Sequence, residues 1–247
     1  MVLRRVAQSA VFGGSILLLG TQVLWADPRA VVELFTSQGC SSCPPADKLL
    51  GELSSDPSLV TLSLPIDYWD YLGWKDTLAD PRYSARQRAY ARERGDRQVY
   101  TPQVVINGSV HALGSDKAAI ERAIAQTQRD PATLSVPVKA ALADEQIQVA
   151  VPASADPKGS GEVWLCGFAK DVPIAIGRGE NRGRTITYHN VARRWVKIGE
   201  WNGKAETWSV PVGELKAADV DSAAIIVQSG TAEQPGTILG AATVALH

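Results

Sequence analysis

Residues 31–50 read VVELFTSQGCSSCPPADKLL and hold two of the three cysteines of the chain, Cys40 and Cys43. A β-branched apolar run precedes the pair, and Pro44 and Pro45 follow it at positions that suit the first turn of a helix. The stretch therefore predicts a strand, a Cys-x-x-Cys turn and a helix in direct succession. The free N–H groups at the start of that helix favour a thiolate at Cys40. We interpret Cys40 as the candidate nucleophile and Cys43 as the resolving thiol.

A second motif lies at residues 101–114, which read TPQVVINGSVHALG. An X-Pro bond, an apolar run, an Asn-Gly turn and a second apolar run predict two strands joined as a hairpin. Thioredoxin-like folds place a cis proline at the start of a strand beside their cysteines. We therefore predict a cis bond between Thr101 and Pro102, and we expect these two residues to hold the backbone of an extended substrate.

Three further segments complete the first half of the chain. Residues 59–68 predict a strand, residues 80–95 a helix, and residues 115–130 a closing helix capped by Ser115. The resulting order is β-α-β-α-β-β-α. Together with the cysteine pair and the Thr-Pro bond, it resembles a minimal α/β thioredoxin or glutaredoxin fold over about residues 29–130.

The pattern changes near residue 131. From there the helical period gives way to short β-rich runs separated by Gly, Pro, Asn and Asp, among them QIQVAV, GEVWLCGFA and AAIIVQS. Such spacing predicts a mostly antiparallel β-sandwich. We therefore predict a signal peptide at residues 1–26, a thioredoxin-like domain at residues 27–131 and a β-sandwich domain at residues 132–247.

Four stretches, ELFTSQGCSSCPPAD, DYWDYLGWKD, TPQVVING and GENRGRTITYHNV, together resemble a bacterial family of secreted proteins catalogued as domain of unknown function 1223. The resemblance spans nearly all of the mature chain. It implies a thioredoxin-like fold and an exported location, and it assigns no reaction. The chain departs from ordinary thioredoxins in having Gly39, where those proteins have tryptophan, before the first cysteine.

The N-terminal segment is interpreted as a cleavable secretory signal. Arg4 and Arg5 precede the apolar run AVFGGSILLLG, and the segment ends at Ala26. The alternative is a membrane anchor, which needs about 20 predominantly apolar residues, whereas polar side chains interrupt this one. We therefore expect a periplasmic or secreted protein without stable membrane insertion.

Charge and compartment limit the partners. The chain has 25 basic and 26 acidic residues and a net charge of −1, which would become about −3 without the signal. This balance argues against nucleic acid as a partner. Export places the protein where a disulfide persists, so the expected partners are protein or small-molecule thiols and disulfides.

Three more residues are candidates for the site. Glu33 lies on the strand that leads into the cysteines, near where thioredoxins and protein disulfide isomerases carry a buried acid that exchanges a proton with the resolving thiol. Burial would raise its pKa toward a useful range. The alternative is a glutamate that reaches solvent at the edge of the sheet. Asp67 and Trp69 follow the next strand and are candidate substrate-binding residues, although such aromatic rings also serve to cover a core.

We predict no metal and no cofactor. His111, His189 and His247 show no ligand spacing with the cysteines, and a zinc site needs two ligands beyond a cysteine pair. Copper capture by two thiolates is a minor alternative. Cys166 lies in an apolar strand pattern and is interpreted as a buried, inert thiol.

Residues 177–184 read GRGENRGR and lack the glycine spacing and the following helix of a phosphate-binding loop. Their arginines could bind an anion or dock onto the first half of the chain.

Two classes of function remain. The first is an exported thiol–disulfide oxidoreductase whose Cys-x-x-Cys pair exchanges disulfides. The second is a non-catalytic secreted binding module in which the pair is a structural disulfide. A disulfide that closes so small a ring contributes little loop-closure entropy, which favours chemistry over a structural role.

Overall fold

The computed structural model describes residues 27–154, 159–215 and 219–247. In chain order the elements are β1 (Ala30–Thr36), α1 (Pro44–Leu53), β2 (Leu59–Pro65), α2 (Pro81–Arg94), β3 (Gln103–Ile106), β4 (Val110–Leu113), α3 (Lys117–Thr127), β5 (Lys139–Ala143), β6 (Gln146–Val151), β7 (Gly161–Ala175), β8 (Thr185–Trp201), β9 (Glu206–Pro211), β10 (Ser222–Gly230) and β11 (Pro235–Ala245). The predicted signal peptide lies outside the described residues. None of the helices in the described ranges is long and apolar enough to cross a bilayer.

One large sheet runs through the molecule. Its eight strands follow the order β11-β10-β7-β8-β2-β1-β3-β4. Most neighbours are antiparallel, whereas β1 and β2 are parallel and β2 meets β8 in parallel at the pair Ser63 and Val191. The protein is thus a mixed α/β fold whose main sheet contains strands from both halves of the chain. The predicted division at residue 131 stays a prediction.

A second sheet of three strands, β5-β6-β9, covers part of the first. Ile147 and Val149 on β6 share a buried apolar cluster with Leu165 on β7 and Ile225 on β10. Burial of such side chains between two faces is the main favourable contribution to packing. The second half therefore consists of two packed layers of mostly antiparallel strands.

Strand β1 is buried on both faces. Its side chains alternate between the two faces of the sheet and so enter two different apolar clusters. Val32 and Leu34 pack with α1 and α3 in one apolar cluster. Val31 and Phe35 pack with α2 and β10 in another. A side chain on β1 is consequently directed toward either the α1 face or the α2 face of the sheet.

The helix ends follow the sequence with one correction. Pro44 and Pro45 occupy the first two positions of α1, as predicted. The prediction that Ser115 caps the third helix is wrong, because Asp116 Oδ1 accepts the hydrogen bond from the Ala119 N–H at 2.9 Å. A carboxylate in this position also interacts favourably with the helix dipole.

Candidate redox-active site

Cys40 and Cys43 form a disulfide with Cα atoms 5.4 Å apart. They lie in the turn between β1 and α1, where the Cys43 N–H donates to the Cys40 carbonyl oxygen at 3.2 Å. Both cysteines are buried, and Cys40 is only 3 % exposed. The exposed part of the turn is the pair between them, Ser41 and Ser42. The sulfurs thus lie just below the surface at the N-terminus of a helix.

The predicted cis peptide bond joins Thr101 and Pro102. It stands immediately before β3, the strand that pairs antiparallel with β1. The Ser42 hydroxyl donates to the Thr101 carbonyl oxygen at 3.4 Å. The cis bond therefore lies beside the cysteine turn, as the sequence predicted.

Trp69 joins these two segments. Its indole N–H donates to Thr101 Oγ1 at 2.7 Å, and a Cβ atom at Gly39 would lie 3.1 Å from the Trp69 Cβ. Tyr71 stacks on the Trp69 ring at 6.1 Å between centroids and is 75 % exposed. A small residue before the first cysteine lets the Trp69 backbone approach the turn closely, and an aromatic surface forms next to it.

Gln38 anchors the other side of the turn. Its backbone N–H donates to Asp76 Oδ2 at 2.7 Å, and its side-chain oxygen accepts from the Trp74 indole N–H at 2.7 Å. Burial raises the pKa of Asp76. The loop that carries the aromatic residues is therefore fixed to the cysteine turn by buried hydrogen bonds.

A buried acid lies on α1, one helical turn after the second cysteine. Asp47 is one helical turn after Cys43, and its backbone N–H donates to the Cys43 carbonyl oxygen at 3.1 Å. The Thr36 hydroxyl donates to Asp47 Oδ1 at 2.7 Å, whereas Oδ2 is buried without a partner among the described residues. Burial raises the pKa of Asp47 to about 8, the Thr36 hydrogen bond opposes the rise, and the charge of Asp76 adds to it.

Asp47 belongs to a wider polar region under α1. Burial, with smaller contributions from the charges of Asp47 and Asp76, raises the pKa of Tyr188 on β8. Within the described ranges the Tyr188 hydroxyl and the Ser63 hydroxyl are buried and have no hydrogen-bond partner. Buried polar atoms without partners are costly, and they often mark a functional group or an ordered water.

The loop at residues 177–184, between β7 and β8, closes over the cysteine turn. Asn181 is fully buried, and its Nδ2 donates to the carbonyl oxygens of Gln38 at 3.0 Å and Cys40 at 2.9 Å. Glu180 Oε2 accepts from the Ser41 N–H at 3.2 Å. The loop thus docks onto the first half of the chain, which is one of the two possibilities that the sequence left open.

Glu33 lies on the α2 face of β1. Its carboxylate accepts from Arg86 Nε at 2.6 Å and from the Tyr90 hydroxyl at 2.6 Å, and the residue is fully buried. The alternative of an exposed edge glutamate is wrong, because β1 lies between β2 and β3. The α2 face is also opposite to the face on which α1 and Asp47 lie. The predicted catalytic role of Glu33 stays a prediction.

The candidate substrate-binding residues separate into two places. Trp69, Thr101 and Pro102 lie together beside the cysteine turn. Asp67 instead faces α2, since its Oδ1 accepts from the Ser84 hydroxyl at 2.5 Å. The Asp67 backbone N–H also donates to the Ser84 hydroxyl oxygen, at 3.2 Å. The structure therefore ties the Asp67 carboxylate to α2, and its role in substrate binding stays a prediction.

The third cysteine is not paired with the other two. Cys166 is a free, fully buried thiol, and burial raises its pKa above the ordinary range. Over residues 27–154, 159–215 and 219–247, no group of three or more His, Cys, Asp or Glu side chains could hold a metal ion.

Sequence reasoning missed Asp47 and Asn181. Asp47 stands at position i+4 from Cys43, on the face of α1 that also carries the buried Ala46 and Leu50. Helical periodicity predicts which face of α1 is buried, and an acid on that face could have been recognised as a buried, candidate functional residue. Asn181 gives no such local signal, because its partners lie 141 and 143 positions away in the chain.

Comparison with known proteins gives one family and one solved structure. Residues 31–228 match the family described as "Protein of unknown function (DUF1223)". The X-ray structure of a protein from Agrobacterium tumefaciens is similar, with 31 % sequence identity, a TM-score of 0.80, and coverage of 90 % of this chain and 96 % of that one. No curated protein matches the chain.

Proposed function

Because the chain belongs to the DUF1223 family of proteins of unknown function, its activity has to be derived from the site, and we propose that it is an exported thiol–disulfide oxidoreductase. The observation that carries the proposal is a buried acid close to the cysteine pair on α1. Asp47 lies one turn from Cys43 with one carboxylate oxygen unpartnered among the described residues and a pKa raised to about 8. A structural disulfide has no use for such an acid, whereas a disulfide that is made and broken needs a proton acceptor.

The arrangement of elements supports a thioredoxin-like first half. The order β1-α1-β2-α2-β3-β4-α3 contains the neighbouring strands β2-β1-β3-β4. The cysteine turn stands at the start of α1, and the cis bond before β3 lies beside it. In this proposal the second half contributes the loop that covers the turn.

The reaction follows from the positions of the two cysteines. In the reduced protein the Cys40 thiolate, stabilised by the start of α1, attacks one sulfur of a substrate disulfide. A Cys40–substrate bond forms and a substrate thiolate leaves. Asp47 takes the proton of the Cys43 thiol, and the Cys43 thiolate then attacks the Cys40 sulfur. The second substrate thiolate leaves with that proton, and the Cys40–Cys43 disulfide remains.

The reverse sequence introduces disulfides. A substrate thiolate attacks Cys40 in the oxidised pair, the Cys43 thiolate leaves, and Asp47 supplies the proton that Cys43 takes up. A second substrate thiol then displaces Cys40. Both directions use the same residues, and the reduction potential of the pair decides between them.

The surface beside the turn suits an extended segment of a protein substrate. Trp69 is held against Thr101, and Tyr71 stacks on it with most of its ring exposed. An exposed tyrosine ring stacked on a partly buried tryptophan beside the cis peptide favours an apolar side chain of the substrate. The protein or small molecule that carries the disulfide would therefore approach between Tyr71 and Pro102.

One observation favours the second candidate function. Cys40 is only 3 % exposed, and the docked loop holds its carbonyl oxygen. A disulfide so covered would serve well as a permanent link, with the protein acting as a secreted binding module. Reactivity of Cys40 toward a small disulfide separates the two functions.

The test traps the mixed disulfide. The double variant Cys43→Ala, Cys166→Ala of the full chain is treated with glutathione disulfide. Its intact mass is then measured by mass spectrometry. We expect one glutathione per chain, attached at Cys40. The matched control, Cys40→Ala with Cys166→Ala, leaves only the fully buried Cys43 and should react far more slowly. Equal and negligible labelling of both variants would favour the binding module.

A further inference from the structure

The loop at residues 177–184 brings a carboxylate to the cysteine turn. Glu180 Oε2 lies 3.2 Å from the backbone nitrogen of Ser41, the residue that directly follows Cys40. The carboxylate comes from a position 139 residues later in the chain. Its location is therefore a property of the tertiary structure.

Asn181 fixes that location. Its Nδ2 donates to the carbonyl oxygens of Gln38 and Cys40, and its Oδ1 accepts from Arg184 Nη1 at 3.2 Å. Asn181 is fully buried and holds the loop at the turn, whereas the Glu180 side chain is exposed and binds the turn through the Ser41 N–H. Across the described ranges of the chain no ion pair neutralises Glu180.

The carboxylate opposes the reduced state of the pair in two ways. It occupies the Ser41 N–H, a backbone donor of the cysteine turn that would otherwise be free to stabilise a Cys40 thiolate. It also places a negative charge on the backbone of the residue that follows Cys40, and a nearby like charge disfavours a thiolate. The disulfide carries no charge, so the oxidised state suffers neither effect.

We propose that Glu180 is a positioning residue that lowers the reduction potential of the Cys40–Cys43 pair by disfavouring the Cys40 thiolate. This inference rests on the proposed function for its biological meaning. The equilibrium concerned is the transfer of two electrons from a dithiol or two thiols to the disulfide, which yields the Cys40 thiolate, the Cys43 thiol, an oxidised partner and one proton released to water. Glu180 takes no part in bond making and acts only through Cys40.

The test compares four full-length proteins in equilibrium with dithiothreitol: the wild type, Glu180→Gln, Glu180→Ala and Arg178→Gln. Glutamine keeps an acceptor for the Ser41 N–H and removes only the charge. We expect Glu180→Gln to shift the equilibrium about fivefold toward the dithiol, the factor that one unit charge gives near contact in water. That factor corresponds to about 20 mV for a two-electron couple. Glu180→Ala should shift it further.

Two readouts distinguish a charge effect from a structural one. The pKa of the Cys40 thiol, followed by its rate of alkylation, should fall in Glu180→Gln. The difference from the wild type should shrink to less than about twofold in 1 M salt, where the Debye length is about 3 Å. Arg178 is exposed in the same loop, and its replacement should change the equilibrium less than Glu180→Gln and in the opposite direction.

An equilibrium for Glu180→Gln within about twofold of the wild type at low salt would overturn the proposal. So would an equal shift in Arg178→Gln in the same direction. This measurement does not depend on catalysis, because dithiothreitol reduces structural and redox-active disulfides alike. Failure of the oxidoreductase function would appear instead as a missing glutathione adduct in the Cys43→Ala variant.

Discussion

The side-chain amide of Asn181 donates to the backbone carbonyl oxygen of Cys40 at 2.9 Å, across 141 positions of the chain. This contact attaches the loop between β7 and β8 to the cysteine turn that follows β1. The two halves of the chain therefore share the environment of the disulfide. A site assigned to the first half alone would lack the residues that cover it.

Replacing Asn181 by alanine should destabilise the oxidised protein by about 1–3 kcal/mol. The reason is that the carbonyl oxygens of Gln38 and Cys40 would lose a buried donor. Denaturant unfolding of the disulfide-bonded protein measures the change. Gln126→Ala, at an exposed position on α3, is the control and should stay within about 0.5 kcal/mol of the wild type. Equal stability of Asn181→Ala and the wild type would contradict the docking described here.

Asp47 should make the stability of the oxidised protein fall as pH rises. Its pKa is raised from 3.8 in the unfolded chain to about 8 in the fold, so the folded state binds the extra proton between these values. The stabilisation is complete below the unfolded pKa and is lost as pH passes through the folded one. The free energy of unfolding of Asp47→Asn minus that of the wild type should therefore increase by about 2–4 kcal/mol as pH rises from 5 to 9.

Unfolding curves of both oxidised proteins at several pH values provide this test. The asparagine in the Asp47→Asn variant would keep an oxygen for the Thr36 hydroxyl but would have no charge to bury. Glu52→Gln, on the exposed side of α1, should follow the pH profile of the wild type. A pH profile for Asp47→Asn parallel to that of the wild type would mean that Asp47 does not titrate in this range.

The same substitution should slow the resolution of the mixed disulfide. Without a carboxylate to accept the Cys43 proton, we expect attack of Cys43 on Cys40 to slow by about 10²-fold, the lower end of the usual contribution of a general base. The preceding attack of Cys40 on glutathione disulfide should keep its rate. Samples quenched with acid at short times and measured by intact mass show how fast the glutathione adduct forms and how fast it is resolved. Unchanged accumulation of the adduct in Asp47→Asn would contradict a proton-transfer role.

Glu33→Gln should lower the free energy of unfolding and leave the equilibrium between disulfide and dithiol unchanged. Glutamine would leave the largely buried Arg86 without its countercharge, and breaking a buried pair costs about 3–5 kcal/mol. Glu93→Gln, exposed on α2, is the control for loss of a surface charge. If Glu33→Gln instead slowed resolution of the mixed disulfide at unchanged stability, the proton acceptor would be Glu33 and not Asp47.

Local signals predicted much of the first half from the sequence. The proline pair after Cys43 marks the start of α1, and the Thr-Pro bond before an apolar run marks the cis peptide and β3. These features depend on a few neighbouring residues, whose conformational preferences are strong. The cap of α3 was misplaced by one residue, because Ser115 and Asp116 are both good capping residues.

Long-range features escaped prediction for a physical reason. β8 joins β2 through a single parallel pair, Ser63 and Val191, and hydrophobic periodicity does not state which strands become neighbours. The contact of Asn181 with the cysteine turn depends on that pairing. Asp47 was overlooked although its position on the buried face of α1 was readable from the helical period.

The central claim is that the Cys40–Cys43 disulfide is redox-active, and its equilibrium reduction potential tests this most directly. Titration of the full chain against glutathione and dithiothreitol gives the value. We predict a potential between about −270 and −120 mV, the range of proteins that exchange disulfides. A potential below about −300 mV, together with no glutathione adduct on Cys40 in the Cys43→Ala variant, would contradict the account and identify a structural disulfide.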